Sequence, residues 1–97
     1  MPLIKKYNQC ELHDGGFGRR ILYIPKSLFD SLVIAPRDRD SRDTIARLFA
    51  QIHNGSRPLW MTLYESAYAV EMGHQDTDTE IKKFVNLIEH NQTPSHK

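Results

Sequence analysis

The stretch HNGSRPLWMTLYE, residues 53–65, decides which fold the sequence is expected to adopt. Asn54-Gly55-Ser56 has the composition of a tight turn, because Asn and Gly tolerate positive φ angles and Ser bonds to nearby backbone. The run from Trp60 to Tyr64 that follows can be read as a helix or as a strand. The rest of the chain shows which elements this segment has to join.

The spacing of the apolar residues favours a helix over residues 57–72. Pro58 suits the first turn of such a helix, whereas a single strand would put Glu65 and Glu71 on one face with apolar residues. Because the apolar arc of the helix is wide, Trp60 is predicted to be a core residue. On a projection at about 100° per residue, one side is lined by Leu59, Leu63, Ala67 and Val70.

Two further segments have the pattern of amphipathic helices. The first starts near Asp43, with Asp40 or Ser41 as its cap, and Asn54-Gly55 can close it. The second starts after Thr77, which forms a capping box with Glu80. Their apolar stripes are Ile45, Leu48, Phe49 and Ile52 in the first and Ile81, Phe84, Val85 and Ile88 in the second.

Residues 1–25 have the pattern of a β-hairpin, with Asp14-Gly15 as its turn and Pro25 at its end. Residues 26–35 then predict a short helix, and residues 92–97 a frayed tail. The predicted fold is therefore α+β: an N-terminal hairpin (1–25) packed against three or four helices (26–91).

Length and composition predict one small domain. Ninety-seven residues are too few for two self-sufficient cores, and 39% apolar content is typical of a folded chain with a modest core. The single cysteine, Cys10, excludes an internal disulfide and a multi-cysteine zinc site. No run of eighteen apolar residues and no signal-peptide pattern is present, so we expect a cytoplasmic protein with no membrane segment.

The net charge of +1 hides an uneven distribution, with +4 on residues 1–57 and −3 on residues 58–97. Opposite charges at two poles can orient a partner during approach. We therefore predict a partner-binding surface with an acidic and a basic pole. The acidic pole would be Asp76, Asp78 and Glu80, and the basic pole Arg19, Arg20 and Arg57.

Residues 43–72 also fit the outline of a helix-turn-helix, which makes a DNA-binding transcriptional regulator the alternative function. Its DNA-contacting residues would be Arg42, Arg57 and Thr62. Glu65 and Glu71 on the would-be recognition helix would meet phosphate unfavourably. A buried pair of helices is therefore preferred, and duplex DNA alone is expected to bind weakly.

Nothing in the sequence groups residues as catalysis or metal binding requires. The five histidines have no paired spacing, and no serine lies in a nucleophile-elbow pattern. An enzyme or metal site assembled only in space remains a weaker alternative. Arg37, Arg39 and Arg42 alternate with aspartates and predict a neutralised, solvated loop.

The expected function is a small non-enzymatic protein-binding module that regulates or inhibits a macromolecular partner. Accessory proteins of mobile elements, antitoxins and phage inhibitors are comparably small, which is an analogy of size alone. The expected partner is a protein, and a complex that handles nucleic acid is one option. No cofactor or metal is expected, and the chain is expected to be a monomer or a homodimer.

Overall fold

The computed structural model describes residues 2–53, 55–73 and 75–93. Over these residues the chain forms one antiparallel sheet, with strands in the order β1-β2-β3-β5-β4, and three helices. The α+β fold is therefore confirmed, and β1 and β4 are the edges of the sheet. In chain order the elements are β1 (Leu3–Tyr7), β2 (Cys10–Gly16), β3 (Arg19–Pro25), α1 (Lys26–Asp30), α2 (Ser41–Ile52), β4 (Met61–Leu63), β5 (Ala67–Met72) and α3 (Asp78–His90).

The predicted N-terminal hairpin is a three-stranded meander. An extra turn follows β1, where Asn8 has a φ of 56°, a left-handed conformation that Asn adopts more readily than most residues. The turn predicted at Asp14-Gly15 lies instead at Phe17-Gly18, flanked by a register shift after Asp14. Gly16 and Gly18 have φ angles of 82° and 76°, so the glycines on either side of Phe17 allow the reversal.

The helix predicted for residues 57–72 is wrong, because β4 and β5 form a hairpin there. The strand β5 pairs with β3 on one side and with β4 on the other. A helix at this place would leave the backbone groups along that side of β3 unpaired, which is costly once they are buried. Trp60 is correspondingly not a core residue: it is half-buried and lies outside the core cluster.

The two longer helices form where their apolar stripes predict them, whereas the helix predicted for residues 26–35 is shorter and ends at Asp30. Asp40 caps α2 by accepting a hydrogen bond from the Asp43 backbone N–H. Gly55, with a φ of 88°, follows α2 as predicted, whereas Asn54 lies outside the described residues. The capping box of Thr77 and Glu80 begins α3. In both helices the predicted stripe packs in or against the core.

The core lies between one face of the sheet and the helices. Alternate residues of β3 and β5 point into it, and the residues between them point to the second face of the sheet. On that second face Tyr23, Thr62 and Glu71 are half-buried. The largest fully buried side chains of the core include Leu12, Leu22, Ile24, Ile45, Leu48, Met72, Ile81, Phe84 and Ile88.

The C-terminal residues that the structure describes are attached to the domain. Val33 donates its backbone N–H to Asn91, and Thr93 donates its backbone N–H to Ser31, both at 2.6 Å. The predicted frayed tail therefore does not include residues 92–93, and residues 94–97 lie outside the described residues. Among the described helices, none has the length and apolar content needed to cross a bilayer.

We predict that Phe84→Ala lowers the free energy of unfolding by about 3–5 kcal/mol, as is typical of aromatic deletions in cores. Phe84 is fully buried and packs edge-to-face on Phe49, with ring centroids 5.4 Å apart. Urea unfolding measures the change. Phe17→Ala is the matched control, because Phe17 is fully exposed at the β2–β3 turn. Equal losses from the two variants would contradict the described core.

Candidate functional site

The residues of the predicted acidic pole do not form one surface. Asp76 is buried, with 1% of its side chain exposed. Its Oδ1 lies 2.5 Å from His53 Nε2, and its Oδ2 accepts the backbone N–H of Gly73 at 2.6 Å. The Asp76 backbone carbonyl also accepts a hydrogen bond from Arg20. Asp76 therefore joins α2, β5, β3 and the loop before α3, and the expectation that it is a surface contact is corrected.

Asp78 and Glu80 are also used within the chain. Asp78 Oδ1 accepts hydrogen bonds from Lys5 Nζ at 2.5 Å and from the Tyr7 hydroxyl at 2.8 Å, which ties α3 to β1. These two donors lower the pKa of Asp78 to about 2. Glu80 accepts from the Thr77 backbone N–H and hydroxyl in the capping box.

Two of the three residues of the predicted basic pole have intramolecular partners. Arg19 forms an ion pair with Glu71 at 2.9 Å, and its guanidinium lies 5.5 Å from the centroid of the Trp60 ring. Arg20 donates to the backbone carbonyls of Gly73 and Asp76. Arg57, by contrast, is exposed and forms no ion pair with any residue that the structure describes.

His53, Asp76 and Glu80 are the described residues closest to a metal or catalytic grouping, with one candidate ligand atom of each within 4.8 Å of the others. Two ligands of one tetrahedral zinc ion lie roughly 3.3 Å apart, whereas His53 Nε2 and Asp76 Oδ1 are at a hydrogen-bonding 2.5 Å. The other ring nitrogen, Nδ1, lies 2.9 Å from the Phe49 carbonyl oxygen. Both ring nitrogens thus have partners, so this arrangement fits a structural pair.

Cys10 is buried in β2. Burial, together with the charge of Glu89, raises the pKa of the Cys10 thiol to about 12. Because the thiolate is the reactive form of cysteine, this thiol is inert at neutral pH.

The exposed arginines collect beside the start of β4, in what we call the arginine cleft. It consists of two adjoining hollows of about 320 and 200 Å³, which share Arg57 and Asp43. Arg39 pairs with Asp43 and Arg47 with Asp38, so the neutralisation predicted for this loop is only partial. Five arginines and two aspartates line the cleft, giving its lining a net charge of +3: Arg37, Arg39, Arg42, Arg47 and Arg57 with Asp38 and Asp43.

The open edge of the sheet lies against this cleft. Leu59, Trp60 and Met61 line the smaller hollow together with Arg42 and Arg57. We call residues 59–64 the β4 edge. It has large exposed apolar side chains, with Leu59 88%, Leu63 52% and Tyr64 49% exposed. A cationic cleft and an apolar strand edge therefore form one continuous candidate site.

The residues assigned to the DNA-binding alternative do come to this place. Arg42 and Arg57 line the cleft, and Thr62 lies in β4, opposite Ala69 of β5. The helix-turn-helix itself is not formed, because the segment predicted as its second helix contains β4 and β5. The sequence pattern does not predict the β4 edge, because it favours a helix over residues 57–72.

Comparisons of the chain with protein-family models, with curated proteins and with solved structures found no match.

We predict that Asp76→Ala lowers the free energy of unfolding by about 2–6 kcal/mol, at roughly 1–3 kcal/mol for each of two hydrogen-bond donors left without an acceptor. The variant leaves His53 and the Gly73 N–H without their acceptor. Gln75→Ala, at the exposed neighbouring position, should change stability little. Chemical denaturation compares the two, and an Asp76→Ala protein as stable as the wild type would show that Asp76 is not a structural junction.

A second prediction concerns the acid stability of the contact between β1 and α3. Because the folded pKa of Asp78, about 2, is below its ordinary value of 3.8, the contact stabilises the fold above pH 4. That contribution is lost as the pH falls from about 4 to about 2. Asp78→Asn and Lys5→Met should each flatten the curve of stability against pH in this window.

Thermal unfolding at a series of pH values measures that curve. Lys6→Met is the control, because Lys6 is the neighbouring lysine of β1 and forms no ion pair with any described residue. A slope that persists in the Asp78→Asn protein would assign the acid sensitivity to other groups.

Proposed function

We propose that the chain is a small non-enzymatic binding module that regulates or inhibits a protein partner. The partner contributes an extended segment that pairs with the β4 edge. The observation that carries the proposal is that this edge is an open, uncharged strand surrounded by exposed apolar side chains. Strand addition to such an edge is a common mode of peptide recognition, because main-chain hydrogen bonds supply affinity and side-chain pockets supply selectivity.

The pairing of β4 determines which backbone groups point outward. Glu71 donates its N–H to the Trp60 carbonyl at 2.9 Å, and Tyr64 donates its N–H to the Ala67 carbonyl at 2.8 Å. Backbone groups alternate in direction along an antiparallel strand. The N–H and C=O groups of Met61 and Leu63 therefore point away from β5, where a further strand would lie.

The two edges of the sheet differ in how well they are protected. At the β1 edge, Lys5 and Lys6 are in the strand, and the register shifts between Leu3 and Lys5. Charged residues and bulges are two of the means by which proteins discourage strand addition. In β4 the sequence Met-Thr-Leu contains no charge, and its pairing with β5 is regular. This contrast favours β4 over β1 as the binding edge.

The inert thiol of Cys10 and the enclosed pair of His53 and Asp76 support a binding role over a catalytic one. Cys10 is buried with a pKa of about 12. His53 has an acceptor at each ring nitrogen, so neither nitrogen is available to take a proton from a nucleophile such as Ser56.

Leu63→Pro is designed to block strand addition without disturbing the fold. The N–H of Leu63 points outward, so proline removes a donor that β5 does not use. Leu63→Val is the matched control, because it shortens the side chain and keeps the N–H. We expect affinity capture from the native host to recover a protein partner with the wild type and with Leu63→Val, and at least tenfold less with Leu63→Pro.

Two measurements complete the test. Thermal unfolding establishes that Leu63→Pro is folded, and amide exchange should slow at Met61 and Leu63 when the partner binds. A folded Leu63→Pro protein that captures the partner as well as Leu63→Val would exclude strand addition at this edge. Slowed exchange confined to another surface would also exclude it.

A further inference from the structure

We propose that the segment bound at the β4 edge is acidic, with aspartate or glutamate side chains held by Arg42 and Arg57. This inference rests on the proposed function and adds the chemistry of the partner. It is carried by the position, against an open strand edge, of two arginines that form no ion pair with any described residue.

The first step is the location of the charges. Arg42 and Arg57 line a hollow of about 200 Å³ together with Ala46 of α2 and Met61 of β4. Met61 packs against the core, which places this hollow on the side of the sheet that the helices cover. Arg42 and Ala46 both belong to α2, so Arg42 and Arg57 line a hollow that lies between this helix and the β4 edge.

The charges of Arg42 and Arg57 are available to a ligand. Neither Arg42 nor Arg57 forms an ion pair within the described ranges, although Arg57 is near enough to contribute to the lowered pKa of Asp43. The carboxylate of Asp43 is already used by the backbone N–H and guanidinium of Arg39. Guanidinium groups bind carboxylates through paired hydrogen bonds, so Arg42 and Arg57 are suited to external carboxylates.

A segment paired with β4 would have a defined register. Residues directly opposite each other on antiparallel strands place their side chains on the same face. A residue opposite Met61, and residues two positions away from it, would therefore point to the helix side and towards Arg42 and Arg57. The intervening residues would lie beside Trp60 and Thr62. The expected ligand alternates acidic residues with β-branched or aromatic ones.

A single-stranded nucleic acid fits this site less well. Such ligands need a continuous cationic track and aromatic faces on which bases stack. Here Asp38 and Asp43 interrupt the cationic lining, and the guanidinium of Arg19 lies over the ring of Trp60. The Arg19 guanidinium is also paired with the Glu71 carboxylate at the same place, so Arg19 does not extend the cationic lining. The observations favour a protein ligand.

A second copy of the chain is also a poorer fit. The turn that follows β4 offers one carboxylate, Glu65, to a cleft whose lining has a net charge of +3. An acidic segment from another protein compensates more of the charge.

The probe is a phage-displayed library of random heptapeptides, selected on the full-length chain at physiological salt. We expect the enriched peptides to have acidic residues at alternate positions. A synthetic copy of the most enriched peptide should slow amide exchange at Met61 and Leu63. Its affinity should fall about three- to tenfold in Arg42→Gln and in Arg57→Gln, and should weaken with added salt, because opposite charges at a partly exposed site are screened. Lys6→Gln, on the opposite edge, is the matched control and should bind normally.

Each alternative has its own signature, and each would overturn the proposal. Peptides that bind β4 without acidic enrichment, and without loss in the arginine variants, would refute the acidic ligand while leaving the proposed function in place. No enrichment, or a footprint away from β4, would refute both. Tighter binding of a 20-nucleotide oligothymidine or a 20-base-pair duplex at the same amides would identify a nucleic-acid interface. A dimer in sedimentation velocity that Leu63→Pro dissociates would identify a second copy as the occupant.

Discussion

The arrangement of this domain depends most on the hydrogen bonds made by the buried carboxylate of Asp76. Its two oxygens hold His53, at the end of α2, and Gly73, at the end of β5. Its backbone carbonyl receives Arg20 from β3, and the next residue, Thr77, caps α3. A charge is costly to bury unless its hydrogen-bonding capacity is filled. Here the partners come from several elements, so satisfying one carboxylate aligns both main helices with the sheet.

The sequence predicts the parts of the fold that depend on local pattern. The stripes of α2 and α3 repeat at the helical period within one segment, and their caps are adjacent, so no tertiary information is needed. The sequence does not predict β4 and β5 because Leu59, Leu63, Ala67 and Val70 also repeat at helical spacing. One continuous strand would place Glu71 on the same face as Met61. A turn at Glu65-Ser66 reverses the chain, and Met61 then pairs with Val70 instead.

Local pattern does not predict the candidate site, because the site depends on which ion pairs form in the folded chain and on Met61–Leu63 being a strand. Arg37 and Arg42 were expected to be neutralised by the adjacent aspartates, yet Asp38 pairs with Arg47, nine residues away. Asp76, Asp78 and Glu80 look like one acidic surface in sequence, but each has a different internal partner. Which charges stay available is decided by the ion pairs of the folded chain. Of the six residues in the two predicted poles, Arg57 is the one that is exposed and forms no ion pair with a described residue.

Selectivity at the candidate site depends on the β4 edge and the arginine cleft together. A strand edge or a set of cations is, by itself, an ordinary feature of a protein surface. They become selective together, because main-chain pairing fixes the position of a ligand and the arginines then discriminate among its side chains. The loop that contains Arg57 leads directly into β4, so the strand and one of its charges are adjacent in the chain.

Chemical labelling of the single cysteine, Cys10, can report how often the core of this domain opens. Cys10 is fully buried in the second strand, and its thiol is held protonated by its surroundings. A thiol reagent can reach that sulfur only when the sheet separates from the helices above it. The rate of labelling by such a reagent is therefore a measure of how often the core opens, and no cysteine has to be introduced for it. Ligand binding that holds the sheet closed would be read as slower labelling of a residue that the ligand never touches.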